Sequence, residues 1–200
     1  MTISAGRLRL RFGYPAAAAL CACAVLYAER FLPALLCVLL HEGGHIAALL
    51  AFGEHEIEVV LRVLSVDIID KGAASRPDRR QAIVALAGPL SNGVTSLLFF
   101  AAYKVCGIQL LQSCALIGVC IGGFNLLPMI ATDGGALAAI ALQRRFSERT
   151  ANAILTALTL LLMFPVCAAA FLAMLRSGRN FTLLAFAAAG IASLIDAKTG

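Results

Sequence analysis

The sequence predicts an all-α polytopic membrane protein of about six transmembrane helices, with a small membrane-associated β-ribbon between the second and third, as a single domain over residues 1–200. Three observations predict it. Of the 200 residues, 61% are hydrophobic and 14% charged, with a mean hydropathy of +0.92, whereas soluble domains are roughly 45–50% apolar. The charges fall in short segments between uncharged stretches close to the roughly 20 residues that a helix needs to cross the hydrocarbon core. Residues 57–69 (IEVVLRVLSVDII) break this pattern: they are rich in β-branched side chains, with Ile57, Val59, Leu61 and Val63 in alternation against Glu58 and Arg62, which is the pattern of strands.

The elements follow in order. Arg7, Arg9 and Arg11 precede an uncharged run, residues 12–28, read as a retained first span; a cleaved signal peptide has the same outline. A second span over 31–52 starts near Pro33, where helix beginnings tolerate proline. The β-ribbon of 57–69 comes next. A third span covers 81–103 and contains Ala87-Gly88-Pro89 and Asn92; in a membrane helix, neighbours can satisfy the carbonyl that proline frees. The fourth, 110–130, carries Gly118 and Gly122, a small-xxx-small face that admits a close backbone, for which Gly43 and Gly44 of the second span are the natural counterpart. It breaks at Asn125-Leu126-Leu127-Pro128, and a glycine-flanked bend, Thr132-Asp133-Gly134-Gly135, leads into a short amphipathic helix over 136–146. Spans over 151–175, with Pro165 inside, and 180–195 complete the chain.

Charge placement sets the expected orientation. With six spans, Arg7, Arg9, Arg11, Arg62, Lys71, Arg76, Arg79, Arg80, Arg144, Arg145, Arg149 and Lys198 fall on one side, and Arg30, Lys104, Arg176 and Arg179 on the other. The richer side is the cytoplasmic one, so both termini are expected there. The net charge of +5 is spread over the loops and reads as topology signal and lipid-headgroup contact rather than a nucleic-acid surface. Seven cysteines, nearly all in apolar runs and without a CxxC spacing, read as small buried hydrophobes and not as a disulfide framework.

The chemistry concentrates in His41-Glu42-Gly43-Gly44-His45, three ionisable groups inside the second span. On a helix, residues four apart share one face about a turn from each other, so His41 and His45 can bind one metal ion while Glu42 handles a proton. HExxH on a helix is the zinc-metalloprotease signature. The competing reading is a buried polar cluster that stabilises a bundle, but ionisable residues at membrane depth point first to function. A catalytic zinc takes three protein ligands and keeps a position open. Asp133, at the broken end of the fourth span, is the expected third ligand, although Thr132-Asp133-Gly134 also suits a helix N-cap. Glu54, His55 and Glu56 are nearer in sequence, in what reads as a solvated turn. For Gly88, Pro89 and Asn92 helix packing is at least as strong a reading as function; Pro128 fits either, Gly44 and Gly134 read as structural, and Asn125 reads as a helix–helix hydrogen bonder or a substrate contact.

Together, His41-Glu42-Gly43-Gly44-His45, Ala87-Gly88-Pro89 with Asn92, and Asn125-x-x-Pro128-x-x-x-x-Asp133-Gly134 resemble the site-2 proteases, a family of intramembrane zinc metalloproteases. The wording NLLP followed by DGG resembles most the branch of the bacterial stage IV sporulation protease, which releases a membrane-associated sigma factor precursor. The resemblance implies one Zn2+ per chain held by His41, His45 and Asp133, Glu42 as the catalytic base, Asn125 near the substrate peptide, and a bacterial cell membrane as the location. The partner would be a membrane-protein substrate, with sigma or anti-sigma factors as the candidate class. Thr132 stands where the family usually has an apolar residue and Ala136 where it often has Arg or His. No CBS or PDZ module is expected within these 200 residues, so the sporulation substrate is not assumed. The alternative function is a metal-ion transporter that uses the same His/Asp cluster. For a protease, the ribbon of 57–69 is expected to take the unwound substrate as an added strand.

Overall fold

The computed structural model describes residues 2–5, 8–12, 28–54, 57–61, 66–70 and 76–177. It divides into two compact units, Met1–Asn125 and Leu126–Gly200. The first holds a four-stranded sheet and three helices: β1 (Thr2–Ala5), β2 (Leu8–Phe12), α1 (Ala28–Ala51), β3 (Ile57–Leu61), β4 (Val66–Asp70), α2 (Asp78–Cys106) and α3 (Gln109–Asn125). The second holds α4 (Asp133–Gln143) and α5 (Glu148–Ser177).

The strand order is β1-β2-β3-β4. β1 and β2 pair antiparallel, with Ala5 opposite Leu8, and β3 and β4 pair antiparallel, with Leu61 opposite Val66. β2 and β3 are parallel, with Leu8 opposite Ile57 and Phe12 opposite Leu61. Parallel neighbours require a crossover, and the chain that makes it contains α1. The sheet is therefore larger than the ribbon expected over 57–69. The two added strands come from the arginine-rich N-terminal stretch, where Leu8, Leu10 and Phe12 alternate with Arg9 and Arg11. On β3, Ile57 and Val59 are buried with Leu49 of α1 in one cluster, against which Ile46 and Val84 pack.

Four of the expected spans coincide with described helices, α1, α2, α3 and α5. The spans expected over 12–28 and 180–195 lie outside the described residues except at the former's ends, and the described residues form five helices rather than six. Two stretches, Phe31–Ala51 and Asp78–Cys106, are long and apolar enough to cross a membrane, whereas Gln109–Asn125 is apolar but shorter. The fourth span expected to reach residue 130 ends as a helix at Asn125, after which turns occupy 126–132.

Within the first unit α2 is the element that the other two helices approach. A Cβ on Gly44 of α1 would stand 2.5 Å from the Ala87 carbonyl oxygen and 2.8 Å from Ser91 Cβ. On α3, a Cβ at Gly118 would run into Ser96 Oγ, and one at Gly122 would lie 3.2 Å from Asn92 Cβ. The glycines of the second and fourth spans are thus not each other's counterpart: both rows receive α2. Gly43 has nothing within 4 Å of its Cβ position. α1 and α3 also meet, where buried Cys37 Sγ donates to the Cys114 carbonyl oxygen at 3.2 Å.

The contact at Gly44 sets two effects against each other. A helical Gly→Ala change gains about 1 kcal/mol from backbone propensity, and overpacking a tight contact costs about 1–3 kcal/mol. Gly44→Ala is expected to lower stability by up to about 2 kcal/mol, while Gly93→Ala, whose Cβ position is open, raises it or leaves it unchanged. Thermal unfolding of both variants in detergent checks this, and equal midpoints would contradict it.

Candidate metal centre

His41 and His45 are 4% and 8% exposed and lie one above the other on α1. Their Nε2 atoms are 3.2 Å apart, and the rings meet nearly edge to face, with centroids 4.9 Å apart and an interplanar angle of 80°. Glu42, between them in sequence, is half-buried.

The groups that hold the two rings come from α2. His45 Nδ1 donates to the Val84 carbonyl oxygen at 2.7 Å; a carbonyl only accepts, so the ring's proton sits on Nδ1 and its Nε2 carries a lone pair in the neutral form. His41 Nδ1 lies 3.2 Å from the amide nitrogen of Asn92, a residue with no exposed surface. Between these two partners is Gly88. A Cβ there would collide with His45 Nε2 and stand 2.9 Å from His41 Nε2, so the imidazoles occupy the space that any other residue would fill. One residue ahead of His41, the Leu40 carbonyl oxygen accepts from Ser91 Oγ at 2.7 Å.

This arrangement suits a divalent cation. Two nitrogens bound tetrahedrally at the usual Zn–N length are about 3.3 Å apart, close to the observed spacing. Histidines that ligate zinc also commonly donate the other ring N–H to a carbonyl or carboxylate, as His45 does. In the absence of an ion, the same spacing accommodates one N–H···N hydrogen bond.

Asp133 is the first residue of α4 in the second unit and is half-buried. It is not the cap. Thr132 is, with extended backbone (φ −115°, ψ 162°) and Oγ1 accepting from Gly135 N at 3.1 Å, while the same hydroxyl has the carbonyl oxygens of Leu127 and Met129 at 2.7 and 2.8 Å as acceptors. The threonine that departs from the family pattern therefore closes the turn ahead of Asp133. Gly134 and Gly135 are buried against the carbonyls of Leu126, Leu127 and Met129, leaving no room for a side chain. Pro128 lies within this turn, which includes Ala131 at φ 69°, a left-handed conformation uncommon outside glycine. Ile130 N donates to Thr159 Oγ1 of α5 at 2.8 Å. Asn125 turns back on its own helix and donates to the Ile121 carbonyl at 3.0 Å.

Of the alternative acidic ligands, Glu54 is engaged elsewhere: Arg76, with a side chain 6% exposed, binds its Oε1 at 2.9 Å. His55 and Glu56 lie outside the described residues.

Comparison with known proteins points the same way. Residues 101–166 match the profile of peptidase family M50. A zinc metalloprotease of Methanocaldococcus jannaschii is 27% identical over 128 residues, which is 61% of this chain and 37% of the relative, so the chain spans little more than a third of that protein. The solved structure of a site-2 protease, also from Methanocaldococcus jannaschii, superposes with a TM-score of 0.69 at 18% identity, covering 94% of this chain and 90% of that one. The chain has the fold of a site-2 protease. Within that fold Gly88 and Asn92, for which the sequence left packing and function both open, lie against the imidazoles, while Ala87 faces Gly44 and Pro89 faces Gly122. The Val84 carbonyl was missed altogether, because a backbone acceptor leaves no mark on residue type.

Gly88→Ala puts a methyl group onto the His45 ring and is expected to abolish metal retention without unfolding the chain. Metal content by mass spectrometry after purification checks it; a Gly88→Ala protein that retains metal like the parent would remove Gly88 from the site.

Proposed function

We propose that this chain is an intramembrane zinc metalloendopeptidase that cleaves a transmembrane or membrane-associated protein. The observation that carries the reading is the buried pair of Nε2 atoms 3.2 Å apart, next to Glu42 on a helix apolar enough to cross a membrane. The site-2 protease fold and the relative named as a zinc metalloprotease support it. His41 and His45 hold one zinc per chain through Nε2, and Asp133 supplies the third ligand. The support for Asp133 is its place in the Asn125-to-Gly134 motif and its half-buried carboxylate at the first turn of α4.

When bound, zinc supplies Lewis acidity that polarises a carbonyl and brings the pKa of water toward about 7. The chain's own residues do the rest. Glu42 takes the proton of the attacking water and delivers it to the leaving amine. Val84 and Gly88 keep the imidazoles in place during this transfer. A helical substrate hides its carbonyls, so it must unwind before cleavage. We assign its docking to the sheet by strand addition. β3 is paired on both sides, so the open edge of the expected ribbon is β4. Asn125 contacts the unwound peptide. In this reading both termini are cytoplasmic, the membrane is that of a bacterial cell, and a membrane-tethered sigma or anti-sigma factor is the substrate class.

Two experiments test this. In purified protein, Glu42→Gln is expected to keep about one zinc per chain and to lower cleavage of a membrane substrate at least about 10²-fold, while Asp133→Ala loses both zinc and cleavage. Undiminished cleavage by Glu42→Gln would exclude Glu42 as the base, and full zinc in Asp133→Ala would exclude that ligand. A metal-ion transporter would instead show no proteolysis in the parent protein. For the docking edge, proline at Ile68 of β4 is expected to reduce cleavage with zinc content unchanged; cleavage at the parent's rate would exclude β4.

A further inference from the structure

Asn92 is a buried amide whose two ends fare differently. Its nitrogen lies 3.2 Å from His41 Nδ1, whereas its oxygen is buried and meets no hydrogen-bond partner among the described residues. The oxygen and nitrogen of an amide exchange places by a half-turn, and the surrounding hydrogen bonds decide which way it points. The Val84 carbonyl already fixes the proton of His45 on Nδ1. Two arrangements remain for His41. With the nitrogen of Asn92 donating to Nδ1, the proton of His41 sits on Nε2 and points at His45 Nε2, which closes the pair to a metal. With the oxygen of Asn92 accepting from Nδ1–H, both Nε2 lone pairs face the same gap.

We propose that Asn92 is a positioning residue of the metal centre, with its Oδ1 accepting from His41 Nδ1–H when zinc is held. This rests on the zinc reading above. The spacing along α2 supports it: Val84, Gly88 and Asn92 are four residues apart, so one helix face presents an acceptor, a gap for the rings, and a second acceptor. Each imidazole is then oriented by α2 in the same sense, Nδ1–H outward and Nε2 toward the ion. Gly122 of α3 leaves room for the Asn92 side chain: a Cβ added there would stand 3.2 Å from Asn92 Cβ.

The experiment compares the full chain in detergent with Asn92→Leu, which removes the acceptor, and Asn92→Asp, which keeps an acceptor and removes the donor. Zinc affinity is read by competition with a chelator, and the tautomer by 15N spectra of histidine-labelled protein loaded with zinc. Asn92→Leu is expected to bind zinc about 10–100-fold more weakly; Asn92→Asp binds at least as tightly as the parent, and the parent spectrum shows His41 protonated at Nδ1. A purely structural role would weaken both variants alike. Equal affinity in Asn92→Leu, or a loss in Asn92→Asp matching that in Asn92→Leu, overturns the proposal and leaves the zinc reading standing. A parent chain that holds no zinc overturns both. If Asn92→Leu does not fold, Asn92→Asp and the parent spectrum decide.

Discussion

The close approach of α1 to α2 is the constraint on which the site depends. Two imidazoles that share one ion must be held on one side by something flat, and a helix is flat only where it lacks side chains. Gly88 provides that surface for the rings, and Gly44 lets the backbone of α1 come in far enough to use it. The contact thus needs a missing side chain on each helix, at different levels.

Around this contact the polar groups of α2 form a strip. The Val84 carbonyl, Ser91, Asn92 and Ser96 face the other helices, while Leu90, Val94, Leu97 and Leu98 are 59–70% exposed. The division follows from the solvent that the sequence predicts. In a bilayer a backbone or side-chain donor without a partner costs several kcal/mol, so polar groups collect where another helix can answer them and apolar ones take the lipid face. Within the strip, Ser91 and the Val84 carbonyl are answered by α1, and the groups of Val84 and Asn92 also orient the two imidazoles.

The sequence carried the histidine pair plainly, because i,i+4 spacing on a helix determines which side chains meet. It carried four of the expected helices, α1, α2, α3 and α5, through hydropathy and length. Partner choice was another matter. Gly118 and Gly122 announce a close approach, but small residues do not say to what, and the expected pairing with Gly43 and Gly44 gave way to α2 on both sides. β1 and β2 were passed over because Arg7, Arg9 and Arg11 were read as a charge cluster; the period-two alternation through Leu8, Leu10 and Phe12 was the available signal. Thr132 read as a departure from a pattern, and its capping role became visible only with the turn of 126–132 in place.

The clasps along α1 carry a mechanical consequence. Ser91 grips Leu40, Val84 grips His45, and Arg76 grips Glu54 just beyond the helix end. The first two lie within the helix, about 7–8 Å apart at 1.5 Å per residue, and the third follows its end at Ala51. The C-terminal half of α1 is thus tied to α2 at two levels, and the turn after it to the residues just ahead of α2, so this half cannot slide or roll along α2 without breaking those contacts. Any motion that leaves these contacts intact must therefore lie outside the C-terminal half of the α1–α2 seam.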